Sequence, residues 1–255
     1  MNRRGFLTGS VGTVFSAAAV AASGARRPSP KHLKAVLFDA FPLFDPRVVV
    51  TLAERLYAEK AALLMQAWRT RQFEYQWLRV LGNRYVDFME ATEDSLTFAA
   101  RQTGVDLGSE ERNELMSAYV NLQVWPDTHD VLPRLRELGV ALGILSNMTA
   151  ETLESGLMSA NLRGLFAHVL STDRVRSFKP ARAAYQLGVD VLGLEREEVL
   201  FVAFAGWDVA GATWFGYPTY WLNRLGAVPE ELGVSPEGTG SDLRSLLSFL
   251  QAWAA

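Results

Sequence analysis

Apolar runs of strand length alternate with helical periodicity through the second half of the chain. Strands are predicted at residues 34–38, 140–145, 167–170, 199–203 and 219–222. Helices are predicted at residues 131–138, 150–160, 181–192, 209–215 and 243–253, and Thr149 is expected to cap the second of them. Repeated strand–helix units predict an α/β fold with a parallel sheet and right-handed crossovers.

A long stretch from about Val48 to Val124 has helical periodicity and no strand pattern. Gly104 and Gly108 interrupt it, Ser109 is the expected N-cap of its last helix, and a proline follows at position 126. We therefore predict two domains, an α/β core at residues 31–46 and 126–255 and a helical cap domain at residues 47–125. The cap is inserted after the first strand.

The N-terminus has a different character from the rest of the chain. Arg3 and Arg4 precede an apolar run of mostly small residues that extends to Ala22. The run is too short and too rich in alanine, glycine and serine for a membrane helix. It resembles a twin-arginine export signal. We predict that residues 1–25 are a signal peptide, that no membrane anchor is left after cleavage, and that the protein is periplasmic.

Composition narrows the range of functions. The chain has 255 residues, of which 49% are apolar, so it can bury a substantial core. Its net charge of −3 and the lack of a long basic run argue against a nucleic-acid partner. The absence of cysteine excludes disulfides and thiolate metal sites, and the three histidines are scattered and receive no role.

Polar residues follow successive predicted strands. In chain order they are Asp39, Ser146 with Asn147, Lys179 and Asp208. Each alone is explained as a cap, a turn or a solvated residue. Because ligands bind outside the carboxyl ends of parallel strands, the four positions together predict a site.

The order Asp, Ser, Lys, Asp resembles the haloacid dehalogenase (HAD) superfamily, most of whose members are magnesium-dependent phosphatases. Such phosphatases carry acidic residues at two positions that are Phe41 and Phe204 in this chain. Phenylalanine offers no oxygen to a hard cation. We therefore expect neither a metal nor another cofactor.

Longer segments resemble the type II L-2-haloacid dehalogenases from about Leu33 to the C-terminus. They are WRTRQFEYQWLRVLGNRYVDF (68–88), ILSN (144–147), KPARAAY (179–185), WDVAGA (207–212) and FGYPTYWLNR (215–224). This resemblance implies a HAD-like Rossmannoid core with a helical cap, and a homodimer formed through the cap. It also implies metal-independent hydrolysis of short-chain 2-haloalkanoic acids to 2-hydroxy acids and halide, through an aspartyl ester.

The resemblance also implies roles for individual residues. Asp39 would attack C2 of the acid, with Lys179 keeping its carboxylate ionised. Arg69 and Asn147 would hold the leaving halide, and Ser146 would bind the substrate carboxylate. Asp208 would activate the water that hydrolyses the ester. The remaining candidates for substrate binding are Tyr185, Phe41, Trp207, Phe73 and Phe88, and ordinary core packing explains the last two equally well.

Two segments depart from the family pattern. The loop after Asp39 is one residue shorter and lacks the usual Gly-Thr pair, and Ala203-Phe204-Ala205 stands where Ser-Ser-Asn is common. Groups for the first chemical step are present, whereas groups that hold the hydrolytic water are fewer. Two alternatives therefore stay open, a superfamily hydrolase acting on another substrate such as a phosphate ester, and a non-catalytic protein that binds small carboxylates.

Overall fold

The computed structural model describes residues 33–254, so the predicted signal peptide lies outside the described residues. The core is a six-stranded parallel sheet with the strand order β3-β2-β1-β4-β5-β6. The strands are β1 (Ala35–Phe38), β2 (Ala141–Ser146), β3 (His168–Ser171), β4 (Val199–Ala203), β5 (Thr219–Leu222) and β6 (Gly238–Gly240). The predicted parallel α/β fold is confirmed.

The strands are apolar because helices cover both faces of the sheet. In β1, Val36 and Phe38 face one buried cluster, while Ala35 and Leu37 face the other. The first cluster includes residues of α5 (Thr128–Glu137), α6 (Ala150–Ser159) and α9 (Leu243–Ala254). The second includes residues of α7 (Arg182–Leu192) and α8 (Gly206–Phe215). Strands β1, β2, β4 and β5 are thus almost fully buried, which gives the apolar runs seen in the sequence.

Four helices stand between β1 and α5, as predicted for the cap. They are α1 (Arg47–Tyr57), α2 (Ala61–Leu81), α3 (Phe88–Thr103) and α4 (Ser109–Val120). Trp68 on α2 is fully buried, and its indole N–H donates to the carbonyl of Thr92 on α3. The buried residues of these helices belong to the same cluster as Val36 and Phe38 of the sheet. The cap therefore packs directly on the core, although the predicted domain bounds stay a prediction.

Two details differ from the sequence prediction. Strand β6 was not predicted, because its residues Gly-Thr-Gly carry no apolar pattern. A Cβ at Gly238 or Gly240 would lie within 3 Å of Tyr220 or Phe249, so the glycines allow these aromatic rings to approach the strand. Ser109 was also wrongly assigned as an N-cap. The carbonyl of Gly108 accepts the first helical hydrogen bond, from Arg112 N–H, which makes Gly108 the cap residue.

The Thr149 cap is confirmed, since its hydroxyl accepts a hydrogen bond from the backbone N–H of Thr152. Most other helix and strand ends lie within one to three residues of their predicted positions. Among residues 33–254, no helix combines the length and the apolar character needed to cross a membrane.

Candidate active site

The predicted polar residues converge at the carboxyl edge of the sheet. Asp39 follows β1, Ser146 ends β2, and Asp208 lies in the first turn of α8 after β4. Strand β1 lies between β2 and β4, so the chain changes direction across the sheet at this point. Such a switch point leaves a crevice between neighbouring strand ends, and Asp39 sits in it.

A buried lysine joins the two aspartates. Lys179 Nζ lies 2.8 Å from Asp39 Oδ1 and 2.6 Å from Asp208 Oδ2, and the lysine side chain is only 1% exposed. The hydroxyl of Tyr185 donates to the other oxygen of Asp208 at 2.6 Å. Asp39 Oδ2 accepts a longer hydrogen bond, 3.3 Å, from the Phe41 N–H. Two carboxylates thus share one ammonium, which leaves this buried cluster with a net negative charge.

This arrangement shifts the pKa values of its members. Burial alone would lower the pKa of Lys179, but attraction to Asp208 and then to Asp39 outweighs burial, so the pKa is raised. Burial raises the pKa of Asp208 to about 6; the nearby Lys179 opposes this shift and the like charge of Asp39 adds to it. The lysine therefore stays charged, while Asp208 titrates close to neutral pH.

Close packing holds Tyr185 against Asp208. A Cβ at Gly211 in α8 would lie 2.5 Å from the Tyr185 hydroxyl and 2.6 Å from Pro180, so only glycine allows this approach. Burial, followed by repulsion from Asp208, raises the pKa of Tyr185 well above its ordinary value. The hydroxyl thus remains a donor to Asp208. Tyr185 does not line the cavity, and its hydrogen bond to Asp208 indicates that it positions this carboxylate, while its predicted contact with substrate stays a prediction.

Asn147 connects the core to the cap. Its Oδ1 accepts hydrogen bonds from the Lys179 backbone N–H at 2.9 Å and from the Thr172 hydroxyl at 3.2 Å. Its Nδ2 donates to Gln76 Oε1, on α2, at 2.8 Å. A second link runs from the indole N–H of Trp77 to the carbonyl of Lys179 at 3.3 Å.

A cavity of about 240 Å³ opens between this edge and the cap. Ten of the eleven predicted site residues line it, all except Tyr185: Asp39, Phe41, Arg69, Phe73, Phe88, Ser146, Asn147, Lys179, Trp207 and Asp208. Phe204 and Ala205 also contribute to its wall. The structure thus brings together residues separated by up to 169 positions in the sequence, from Asp39 to Asp208.

Aromatic rings form much of the cavity wall. The Phe41 and Phe204 rings lie 5.8 Å apart, and Phe73 packs edge-on against Trp207 at 5.1 Å. The buried Trp207 indole N–H has no hydrogen-bond partner among the described residues. Trp207 therefore offers a donor as well as an apolar surface.

Arg69 reaches the cavity from the cap side. It lies on α2, is exposed, and forms no ion pair with any carboxylate in residues 33–254. An unpaired guanidinium facing an apolar cavity is suited to bind an anion.

Sequence reasoning missed Gln76, which is fully buried, lines the cavity and bonds Asn147. The spacing contained a clue, because Gln76 lies seven residues after Arg69. That separation is about two helical turns, so the two side chains project from the same face of α2.

The residues present do not fit a magnesium site. Phe41 and Phe204 supply no oxygen, and the Lys179 ammonium occupies the space between the two carboxylates that would hold a cation. Within residues 33–254, no three His, Cys, Asp or Glu side chains are grouped as metal ligands.

Comparison with known proteins places this site in a family. The sequence model of the haloacid dehalogenase-like hydrolases matches residues 33–216. An (S)-2-haloacid dehalogenase of Pseudomonas sp. (strain YL) is 38% identical over 88% of this chain and 97% of its own length. Haloacetate dehalogenase H-2 of Moraxella sp. (strain B) is also 38% identical, over 82% of this chain and 94% of its own.

Solved structures agree with these sequence relatives. The L-2-haloacid dehalogenase RSc1362 is 43% identical, with a TM-score of 0.83 over 86% of this chain and 99% of its own. An L-2-haloacid dehalogenase from Xanthobacter autotrophicus, with chloropropionic acid covalently bound, is 30% identical, with a TM-score of 0.78. It covers 86% of this chain and 98% of its own. The fold, the sequence and the grouping of Asp39, Lys179 and Asp208 lead to one conclusion: this chain belongs to the L-2-haloacid dehalogenase family of the haloacid dehalogenase-like hydrolases.

Proposed function

We propose that this protein hydrolyses short-chain 2-haloalkanoic acids to 2-hydroxy acids and halide, through an ester on Asp39 and without a metal. The observation that carries this proposal is the Lys179 ammonium 2.8 Å from Asp39, at the floor of an apolar cavity. The ammonium attracts the negative charge of Asp39 and holds its Oδ1, and the apolar wall limits the hydration that would weaken the carboxylate as a nucleophile.

In the first step, an Asp39 oxygen forms a bond to C2 of the acid. The carbon–halogen bond breaks and its electron pair leaves with the halide, so no proton is transferred. Oδ1 is held by Lys179, whereas Oδ2 accepts only the longer hydrogen bond from Phe41, which leaves Oδ2 the freer oxygen for attack. The Arg69 guanidinium stabilises the negative charge that develops on the halogen, and the Ser146 hydroxyl binds the substrate carboxylate.

In the second step, water attacks the carboxyl carbon of the Asp39 ester. Asp208 accepts a proton from this water, the bond between the Asp39 carbonyl carbon and the ester oxygen breaks, and Asp208 returns the proton to that oxygen. The 2-hydroxy acid leaves with the oxygen that Asp39 supplied, while Asp39 keeps the water oxygen and loses its proton to solvent. Lys179 and Tyr185 hold both oxygens of Asp208 and thereby fix its position. Ala203 and Ala205 provide no side-chain polar group to orient the water, so we expect this step to limit turnover.

Two rival functions have different requirements. A phosphate-ester hydrolase of the magnesium-dependent type needs oxygen ligands at the positions of Phe41 and Phe204, and the site lacks them. A non-catalytic carboxylate-binding protein is favoured by Ala203 and Ala205, which provide no polar side chain to hold the hydrolytic water. Release of halide from chloroacetate separates catalysis from mere binding.

The origin of the product oxygen tests covalent catalysis. In a single turnover in heavy-oxygen water with enzyme in excess, we expect unlabelled 2-hydroxy acid and one heavy oxygen in Asp39. Mass spectrometry of the tryptic peptide 35–47 measures the label. This peptide also contains Asp45, which pairs with Arg47 and serves as an internal control, because fragment ions distinguish the two aspartates.

Label in the first-turnover product, with an unlabelled Asp39, would mean that water attacks C2 directly and would refute the ester mechanism. Slow hydrolysis predicts a burst of halide and a transient mass increase on the same peptide.

The pH dependence tests the role of Asp208. Because its pKa is raised to about 6, its carboxylate is mostly protonated below that pH and cannot accept a proton from water. In the ester, Asp39 no longer carries the charge that adds to this shift, so the pKa that governs ester decay should lie below 6. We expect ester decay to slow about tenfold for each pH unit below that pKa. Asp208→Asn should remove this acid limb and slow ester decay by roughly a hundredfold or more, while the halide burst remains. The same change at Asp190, which is exposed, is the control.

Equal loss of burst and ester decay in Asp208→Asn would instead place Asp208 in the first step.

We also propose that the protein is exported to the periplasm by a twin-arginine signal. The Arg3-Arg4 pair and the small-residue apolar run to Ala22 support this proposal. Mature protein should begin near Arg26, as N-terminal sequencing of periplasmic and cytoplasmic fractions would measure. Replacing Arg3 and Arg4 by lysine should retain the protein in the cytoplasm. Protein that starts at Met1 and is confined to the cytoplasm contradicts export.

We further propose that two copies associate through the cap. Leu63, Leu78 and Leu81 on α2 are exposed, and such apolar surface is suited to burial in a dimer. Light scattering should give twice the mass of one mature chain, and Leu78→Glu with Leu81→Glu should halve it. Exposed Leu232, outside the cap, is the matched control position. A monomer at micromolar concentration would refute this proposal.

A further inference from the structure

The direction of one hydrogen-bond chain determines how Gln76 is oriented. A backbone N–H can only donate, so the Asn147 atom that faces the Lys179 N–H must be its oxygen. The Asn147 amide nitrogen then faces Gln76, and Gln76 must present its oxygen in return. Gln76 Nε2 is therefore turned away from Asn147, and its two hydrogens are available for another acceptor.

No such acceptor is present in the part of the chain that the structure describes. Gln76 is 0% exposed, and its Nε2 is one of five buried side-chain atoms there that lack a hydrogen-bond partner. Of the five residues concerned, only Gln76 and Trp207 line the cavity. Because an unpaired buried donor is destabilising, its position at a cavity indicates that a ligand supplies the acceptor.

The position of Gln76 on the cap side of the cavity indicates which part of the ligand it contacts. Gln76 lies on the cap helix α2, two turns after Arg69 on the same face, whereas Asp39 stands at the end of β1 in the core. In an in-line displacement, the leaving group departs on the side opposite the nucleophile. Attack from the core therefore drives the halide towards the cap, where Arg69 and Gln76 are.

We infer that Gln76 Nε2 donates a hydrogen bond to the departing halide and is a catalytic residue of the first step. This inference rests on the proposed function and adds to it a group outside the predicted set. The neutral amide complements the Arg69 guanidinium, since a directed N–H fixes where the halide sits while the cation supplies charge. Chloride accepts hydrogen bonds more strongly than bromide, so removal of the donor should slow chloride departure more.

The test compares two leaving groups in two variants. Gln76→Met keeps a similar side-chain length and removes both the amide oxygen and the amide NH₂. Gln76→Glu, measured at a pH where it is ionised, keeps an acceptor for Asn147 and loses the N–H donor. We expect the single-turnover halide burst from 2-chloropropionate to slow about tenfold or more in both. The chloride-to-bromide rate ratio should fall at least about threefold relative to wild type.

Gln72 provides the matched control. It is buried on the same helix one turn earlier, and its Nε2 already donates to the Thr92 hydroxyl at 2.6 Å. Gln72→Met should change thermal stability and leave the chloride-to-bromide ratio as in wild type. Arg69→Ala is the positive control, because loss of the charge should slow the burst from both substrates and lower the same ratio.

Bromide binding gives a readout that does not require catalysis. Titration followed by tryptophan fluorescence should show bromide affinity reduced several-fold in both Gln76 variants and unchanged in Gln72→Met. If the wild type releases no halide but the variants differ in bromide affinity as expected, the proposed function is refuted and Gln76 remains a hydrogen-bond donor to a bound anion. An unaltered ratio together with unaltered bromide affinity in both Gln76 variants would overturn the inference, whatever the change in melting temperature.

Discussion

The Lys179 ammonium between Asp39 and Asp208 is the interaction on which the site depends. Two buried carboxylates at this edge would repel each other, and burial would favour their protonation. The ammonium lies between them, 2.8 Å from Asp39 and 2.6 Å from Asp208, and its positive charge offsets their repulsion. The two aspartates differ in their other partners. One oxygen of Asp39 accepts only the long hydrogen bond from Phe41, which suits a nucleophile, whereas both oxygens of Asp208 are held and its pKa of about 6 suits a base.

The scaffold around the lysine is built from contacts that keep this cluster in place. Its ammonium also lies 5.0 Å from the Phe201 ring, and its backbone N–H and carbonyl bond Asn147 and Trp77. Gly211 lets Tyr185 approach Asp208 closely enough to hold its second oxygen. A larger residue at position 211 would therefore alter Asp208 without touching the cavity.

The sequence predicts the sheet well because buried parallel strands are apolar runs, and their ends mark Asp39, Ser146, Lys179 and Asp208. It predicts Arg69 and the aromatic wall only through family resemblance, since one helix offers many polar and aromatic side chains. Neither the strand ends nor the family resemblance identifies Gln76, because its proposed role depends on the orientation of Asn147, which the Lys179 backbone N–H determines. Strand β6 cannot be predicted in this way, because glycines that pack against aromatic rings give no apolar pattern in the strand itself. For Tyr185 the family resemblance indicates a place near the substrate, and the structure adds its hydrogen bond to Asp208.

The links from α2 to the core have a consequence for ligand exchange. Gln76 bonds Asn147 and Trp77 bonds Lys179, which itself holds the nucleophile, so the cap helps to position the catalytic groups as well as cover the cavity. If α2 moves outward to admit an acid or release a product, both hydrogen bonds must break, and Asn147 keeps only its two core partners, the Lys179 N–H and the Thr172 hydroxyl. An open cavity would then admit the acid but would not hold the catalytic groups in position. With such a motion, the site would be aligned for reaction only while α2 is closed, and the rate at which α2 reopens would set an upper limit on turnover.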